Sequence, residues 1–230
     1  MDTKTPASTF TPLLPEGFIL TPEGLLRHAD GRPARVLLHC CCGPCSTAIL
    51  EWMTGAGIRP GVFFSNANIA PYAEYVRRRE TLAAYAASFS LPVTDDAYDP
   101  EAWLEAVARE ALPEGGTDRA ETMALLARIP ERGARCQACF RFRLDRAAAH
   151  AAAQGYDLLT TTLASSRWKD LRQVDAAGTA ACTGTGVVWW GQNWRKGGLQ
   201  ERRSCLIRET GMYNQPYCGC VFSHRPEEAG

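Results

Sequence analysis

Seven of the ten cysteines fall in three tight groups: Cys41, Cys42 and Cys45; Cys136 and Cys139; Cys218 and Cys220. Thiolates ligate zinc and iron–sulfur centres, and paired thiols also carry out redox exchange. One tetrahedral zinc or one four-iron cluster takes four protein sulfurs, so seven exceed the need of either. A cluster with a second metal, or a cluster with a redox pair, fits the surplus; structural zinc stays open on the residues alone. Cys40, Cys182 and Cys205 stand apart from these groups, and the last two read as small core residues.

The elements that must position these thiols can be read from apolar patterning. Val36-Leu37-Leu38-His39-Cys40-Cys41-Cys42 is an apolar run broken at Gly43-Pro44, and Ala48-Ile49-Leu50-Glu51-Trp52-Met53 follows as an amphipathic segment. This predicts strand, tight turn, helix, with the thiols at the strand's carboxyl end. That edge is where open α/β sheets bind ligands, and a helix N-terminus there favours thiolate. A second strand is predicted at Ile58–Phe64, parallel to the first through a right-handed crossover. Asn66 and Asn68 then lie in a polar loop at the same edge, and a helix opens at Tyr72. A short strand at Leu91–Val93 leads to Asp95-Asp96-Ala97-Tyr98-Asp99-Pro100, where the acids suit metal binding, proton transfer or helix capping. The Cys136/Cys139 pair opens a helix running to Ala153. Gly155–Leu163 reads as a further strand, whose terminal hydroxyls, Thr161 and Ser166, suit an anion or a ribose. The helix Leu171–Ala180 and the strand Val187–Trp190 complete a fifth unit. Gln192-Asn193-Trp194-Arg195-Lys196 combines aromatic and basic character of the kind that stacks bases and neutralises phosphates.

Length and composition, 230 residues at 46% hydrophobic, fit one α/β domain over 35–223, an N-terminal extension over 1–34 that is mobile to about Pro12, and a charged tail over 224–230. The charge is balanced, 25 basic against 25 acidic residues, so any polyanion must be held by local clusters: Arg77-Arg78-Arg79, Arg141 with Arg143, or Arg195-Lys196 with Arg202-Arg203. No window reaches the roughly 20 apolar residues of a membrane helix, and no secretory leader is visible. The expected location is the cytoplasm, where thiols stay reduced and serve metal or redox chemistry rather than disulfides.

Several rare motifs occur together and in a fixed order. Leu37-Leu38-His39-Cys40-Cys41-Cys42-Gly43-Pro44-Cys45-Ser46 is followed by Asn66-Ala67-Asn68-Ile69 with Glu74-Tyr75, then by Arg135-Cys136-Gln137-Ala138-Cys139-Phe140-Arg141. Thr161-Thr162-Leu163 with Ser166 and Lys169 comes next, and Tyr217-Cys218-Gly219-Cys220 ends the series. From about Arg35 to Ser223 the chain resembles the QueH family of epoxyqueuosine reductases. It departs from the family pattern at Ser166-Arg167-Trp168-Lys169, where Ser-Pro-x-Lys is usual, at Asn193-Trp194-Arg195-Lys196, and at Tyr213-Asn214-Gln215.

The resemblance implies a parallel-sheet α/β fold of the HUP type, related to nucleotide α-hydrolase and PP-loop proteins. It implies a [4Fe-4S] cluster beside a mononuclear iron, held by Cys41, Cys42, Cys45, Cys136, Cys139, Cys218 and Cys220 at the strand carboxyl ends. The implied reaction reduces epoxyqueuosine to queuosine at the wobble position of tRNA with a GUN anticodon. Removing an epoxide oxygen as water takes two electrons and two protons. Asp99, Tyr98 and His39 are the expected proton carriers, His39 being equally readable as a buried strand residue. Substrate contacts are expected from Asn66, Asn68, Tyr72, Arg141, Arg143, Thr161, Ser166, Lys169, Trp194, Arg195 and Lys196. No glycine-rich dinucleotide fingerprint is present, so an external donor of the ferredoxin or flavodoxin type is expected. An iron–sulfur tRNA sulfurtransferase and a zinc-dependent RNA-binding module remain the alternatives. The first should carry a phosphate loop where this chain has cysteines.

Overall fold

A strand whose residues are apolar without alternation has to be covered on both faces, and Val36–His39 is buried at every position. The computed structural model describes residues 10–223. In chain order, β1 (Phe18–Leu20) and β2 (Leu26–His28) form an antiparallel hairpin. The first half of the main domain follows as β3 (Val36–His39), α1 (Gly43–Gly55), β4 (Gly61–Phe64), α2 (Tyr72–Ala87), β5 (Val93–Asp95), α3 (Pro100–Ala111) and α4 (Arg119–Arg128). The second half is α5 (Ala134–Ala153), β6 (Leu158–Thr161), a 3₁₀ turn at Thr162–Ser165, α6 (Leu171–Cys182), β7 (Val188–Trp189) and α7 (Leu199–Thr210).

The five-stranded sheet is wholly parallel, in the order β5-β4-β3-β6-β7. The chain winds outward from β3 to β5, then returns past β3 to lay down β6 and β7. The strand order therefore reverses between β3 and β6, where His39 pairs with Thr161, and the crevice beyond their carboxyl ends is the expected ligand position. Strand alternation also separates neighbouring thiols. Cys40 joins the core face holding Val36 and Leu38, whereas Cys41 joins the opposite face with Leu37.

The expected α/β architecture is present, with strands shorter than the apolar runs implied. Helix α1 starts at Gly43, immediately after Cys42, with Pro44 in a first turn where its missing N–H costs nothing. Helix α7, rich in arginine and glutamate with only Leu199 and Leu206 buried, was not anticipated because it lacks a strong apolar stripe. No helix among the described residues is long and apolar enough to cross a membrane.

Residues 1–9 and 224–230 lie outside the described residues, and with them most of the expected N-terminal tail and the C-terminal one. Phe10 is packed rather than loose: its ring meets Trp52 at 5.1 Å and Trp194 at 5.2 Å. Leu13 is tethered beside it, donating to Gln192 Oε1 and accepting from Trp190 Nε1. Trp194 is 1% exposed and sits edge-on to Trp190, so it belongs to the core and cannot stack a nucleobase. Its apolar bulk closes the gap between α1, the β7 edge and the N-terminal segment, which is a larger gain for an indole than exposure to RNA. Trp194→Ala should lower stability by about 3–5 kcal/mol, whereas exposed Lys196→Ala should change it by about 0.5 kcal/mol or less. Urea unfolding midpoints of the two variants check this.

Candidate metal centre and substrate cleft

Helix N-termini need an electronegative partner for their free N–H groups. In α3, α4 and α6 the partner is an aspartate cap, Asp99, Asp118 and Asp170 respectively. Helices α1 and α5 have neither a capping side chain nor an acid in the first turn. Thiols occupy those places instead: Cys42 is the α1 N-cap with Cys45 in the first turn, and Cys136 lies in the first turn of α5. Both helix dipoles face these thiols and oppose the upward push on them, which comes from the neighbouring Cys41 thiol at Cys42 and Cys45 and from burial at Cys136.

Cys41, Cys42 and Cys45 converge with their sulfurs within 4.8 Å of one another, a set able to hold a metal ion. Thr162 Oγ1 accepts from Cys41 N at 2.9 Å and lies 3.3 Å from Cys41 Sγ, tying the β3 turn to the end of β6. Gln215 Nε2 lies 2.8 Å from Cys42 Sγ. Cys136, Cys139, Cys218 and Cys220 line the same cleft of about 770 Å³, so all three sequence groups meet there. Cys40, Cys182 and Cys205 do not.

The Cys218-Gly219-Cys220 turn is held by a buried cation. Arg78 donates to Cys218 O at 2.8 Å and Tyr217 O at 3.3 Å, and pairs with Glu74 at 2.6 Å. Tyr213 Oη donates to the same carboxylate, and Ala70 N–H donates to Gly219 O. Gly219 has φ +111°, and a Cβ there would meet the Arg78 guanidinium at 2.7 Å. Only glycine satisfies both the dihedral and the close approach.

The cleft is cationic although the chain is neutral overall. Arg78, Arg132, Arg135, Arg143, Arg167, Lys169 and Arg203 line it, and Glu131 is the one acid among the described residues that do. Arg143 is 2% exposed, donating to Ser65 O and Asn66 Oδ1. Asn66 in turn donates to Cys40 O at 2.9 Å. Hydrogen bonds from Cys42 and Cys45, helped by Lys169 and Arg143, hold the Cys41 thiol well below its usual range. Cys220, then Lys169, Arg143 and Arg78, do the same for Cys218. Burial pushes Cys139 up to about 11. Burial alone would lower Lys169, but the facing Cys218, Cys41 and Cys45 raise it, so its ammonium stays charged. Asn68 is 2% exposed, lines the cleft, and leaves Oδ1 without a hydrogen-bond partner.

The structure brings Asn66, Asn68, Arg143, Ser166 and Lys169 into the cleft and leaves the other expected contacts outside its lining. Thr161 is 1% exposed and bonded to His39 Nδ1 at 2.7 Å and Leu163 N, so it is unavailable to a ligand. Arg141 pairs with Asp145 on the outer face of α5. Arg195 donates to the carbonyls of Ala164 and Lys169, and Lys196 is exposed elsewhere. Tyr72 is exposed but stacked in a cluster with Tyr75 and Tyr98.

The expected proton carriers lie outside the cleft lining and have partners of their own. Asp99 caps α3 through Ala102 N. Tyr98 Oη donates to Ile69 O at 2.8 Å. His39 is fully buried, and burial with nearby Arg143 pushes its pKa down to about 3. Only Nε2 can donate to the Ser65 carbonyl, so Nδ1 accepts from Thr161 and the ring is a neutral strut.

Sequence reasoning named Arg78 and Arg203 only within basic clusters, and missed Arg132, Arg135 and Gln215 as cleft residues. The four-residue spacing of Glu74 and Arg78 was the available signal for Arg78, since it marks a helical ion pair. Gly219→Ala should displace Arg78 or the Cys218–Cys220 turn and lose most of the bound metal, whereas Cys205→Ala should retain it. Metal analysis of the purified variants, with circular dichroism to confirm folding, is the check.

Comparison with known proteins agrees with this geometry. Residues 36–226 match the family model described as epoxyqueuosine reductase QueH. The epoxyqueuosine reductase QueH of Histophilus somni is 38% identical over 192 residues, covering 83% of this chain and 72% of that protein. That of Acinetobacter baylyi is 35% identical, covering 83% and 81%, and that of Thermotoga maritima 34% identical, covering 82% and 89%. The matched span holds every cleft cysteine, and the chain belongs to the QueH family of epoxyqueuosine reductases, which are oxidoreductases.

Proposed function

We propose that this chain reduces epoxyqueuosine to queuosine within tRNA, in the cytoplasm, using a [4Fe-4S] cluster and a second iron held by the seven cleft cysteines. The observation that carries this reading is the convergence of seven thiols, from three distant parts of the chain, on one cationic cleft. Three of them cluster at the end of β3. The other four come from α5 and the turn after α7. Four thiolates are the demand of one cluster, and three leave an iron with an open position. Such centres would supply electrons singly and a Lewis acid for the epoxide oxygen.

The balance is simple: the epoxide takes two electrons and two protons, both C–O bonds break, an alkene forms between the two carbons, and the oxygen leaves as water. The chain's own residues prepare that event. The Lys169 ammonium places positive charge beside the thiols, where negative charge develops on the departing oxygen. Asn68 Oδ1 offers a buried acceptor to a hydroxyl or amine of the substrate, and its lack of an internal donor supports that role. The cleft arginines suit the phosphates flanking the modified nucleoside. With His39, Tyr98 and Asp99 outside the cleft lining, protons reach the site from water through the open side of the cleft. Electrons come from a small carrier of the ferredoxin or flavodoxin type. Thiols in the turn after β3, where ATP-dependent sulfur transfer would need a phosphate loop, support reduction over that alternative.

Anaerobic analysis should find about four or five irons and about four sulfides per chain. A reduced carrier should then convert epoxyqueuosine in an anticodon stem-loop to queuosine, read by nucleoside mass spectrometry. Cys136→Ala and Cys139→Ala should abolish conversion while Cys182→Ala retains it. Stoichiometric zinc without sulfide, or iron-loaded protein that leaves the epoxide intact, would contradict the proposal.

A further inference from the structure

Most large aromatic side chains here have a defined partner. Trp190 and Trp194 are in the core, and Tyr72 is stacked among Tyr75 and Tyr98. Trp168 is different. It is 66% exposed, lines the thiol cleft, and has no aromatic ring against it among the described residues. The Arg167 guanidinium lies over it, 5.1 Å from the ring centroid. An indole left in water forgoes a large burial gain, so its exposure on a ligand cleft points to an occupant.

The backbone beneath it is built to hold still. Arg132 donates to Trp168 O at 2.9 Å and Arg167 O at 3.3 Å, and Arg195 donates to Lys169 O at 2.9 Å and Ala164 O at 3.2 Å. Two arginines thus clamp four carbonyls of one short loop. Arg132 itself has φ +65°, a conformation unusual for a residue with a side chain, and Gln173 holds its carbonyl. Its N–H also reaches Cys136 Sγ at 3.3 Å, so the loop is fixed relative to a thiol of the site. A rigid, exposed indole with a cation on one side is the arrangement that stacks an unpaired nucleobase.

We infer that Trp168, with Arg167, is a stacking platform for an unpaired nucleobase next to the reacting nucleotide, and so a positioning residue for the RNA. The reacting nucleotide must pass to the buried thiols, whereas Trp168 stands on the exposed rim; the base it meets is therefore a neighbour in the same single-stranded loop. This inference rests on the tRNA reading proposed above. It differs from phosphate contact in a measurable way, because an indole carries no charge and releases no counterion.

The test uses the metal-loaded protein and a labelled anticodon stem-loop, by fluorescence anisotropy across a salt series. Trp168→Ala should weaken binding roughly five- to hundredfold at every salt concentration without changing the salt slope. Trp168→Phe should stay within about threefold of wild type, since a phenyl ring still stacks. In turnover, Trp168→Ala should raise KM and leave kcat at saturating RNA unchanged. Replacing the neighbouring nucleotide with an abasic one should remove the difference between wild type and Trp168→Ala. Equal affinity of wild type and Trp168→Ala, or failure of Phe to rescue, would overturn the platform while leaving the tRNA reading intact. Wild-type protein that does not bind the stem-loop would overturn both.

Discussion

Burying thiolates is costly unless positive charge is buried beside them, and this constraint organises the molecule. Arg78, Arg143 and Lys169 reach the thiols from three separate elements: α2, α5 and the loop after β6. Two of them are themselves anchored, Arg78 by Glu74 and two carbonyls, Arg143 by Ser65 and Asn66. The two uncapped helix N-termini add their dipoles to the same point. A cleft so charged suits both a cysteine-held metal centre and a polyanionic substrate, although the chain is neutral overall.

The fold was legible where pattern and chemistry agreed. The apolar run ending in Cys40–Cys42, the helix after it, and the helix opened by Cys136 were all readable, because period and turn residues pointed the same way. The convergence of three cysteine groups was readable only as an expectation, since their meeting depends on α5 and the segment after α7 folding back over the β3 edge. Helix α7 itself escaped because its buried face is only two residues wide.

The basic clusters show why side-chain roles were harder to read. In Arg77-Arg78-Arg79, helical geometry sends the three side chains in different directions. Arg77 lies over the Tyr213 ring, Arg79 pairs with Asp95, and Arg78 alone of the three lines the cleft. The same holds for Arg141 against Arg143, and for Arg202, paired with Glu51, against Arg203. Adjacent charges in sequence are not adjacent on a helix. Likewise Trp194 and Trp168 are indistinguishable as letters. Packing made the first a core residue and left the second on the rim, reversing the role expected of Trp194.

The central claim, that cations beside the thiols hold the electron density of the site, is tested most directly by the midpoint reduction potential of the metal-loaded protein in wild type and Lys169→Gln. Removing a positive charge from beside the thiolates makes added electron density less favourable. The account predicts a more negative potential for Lys169→Gln with iron content retained. An unchanged or more positive potential would contradict it.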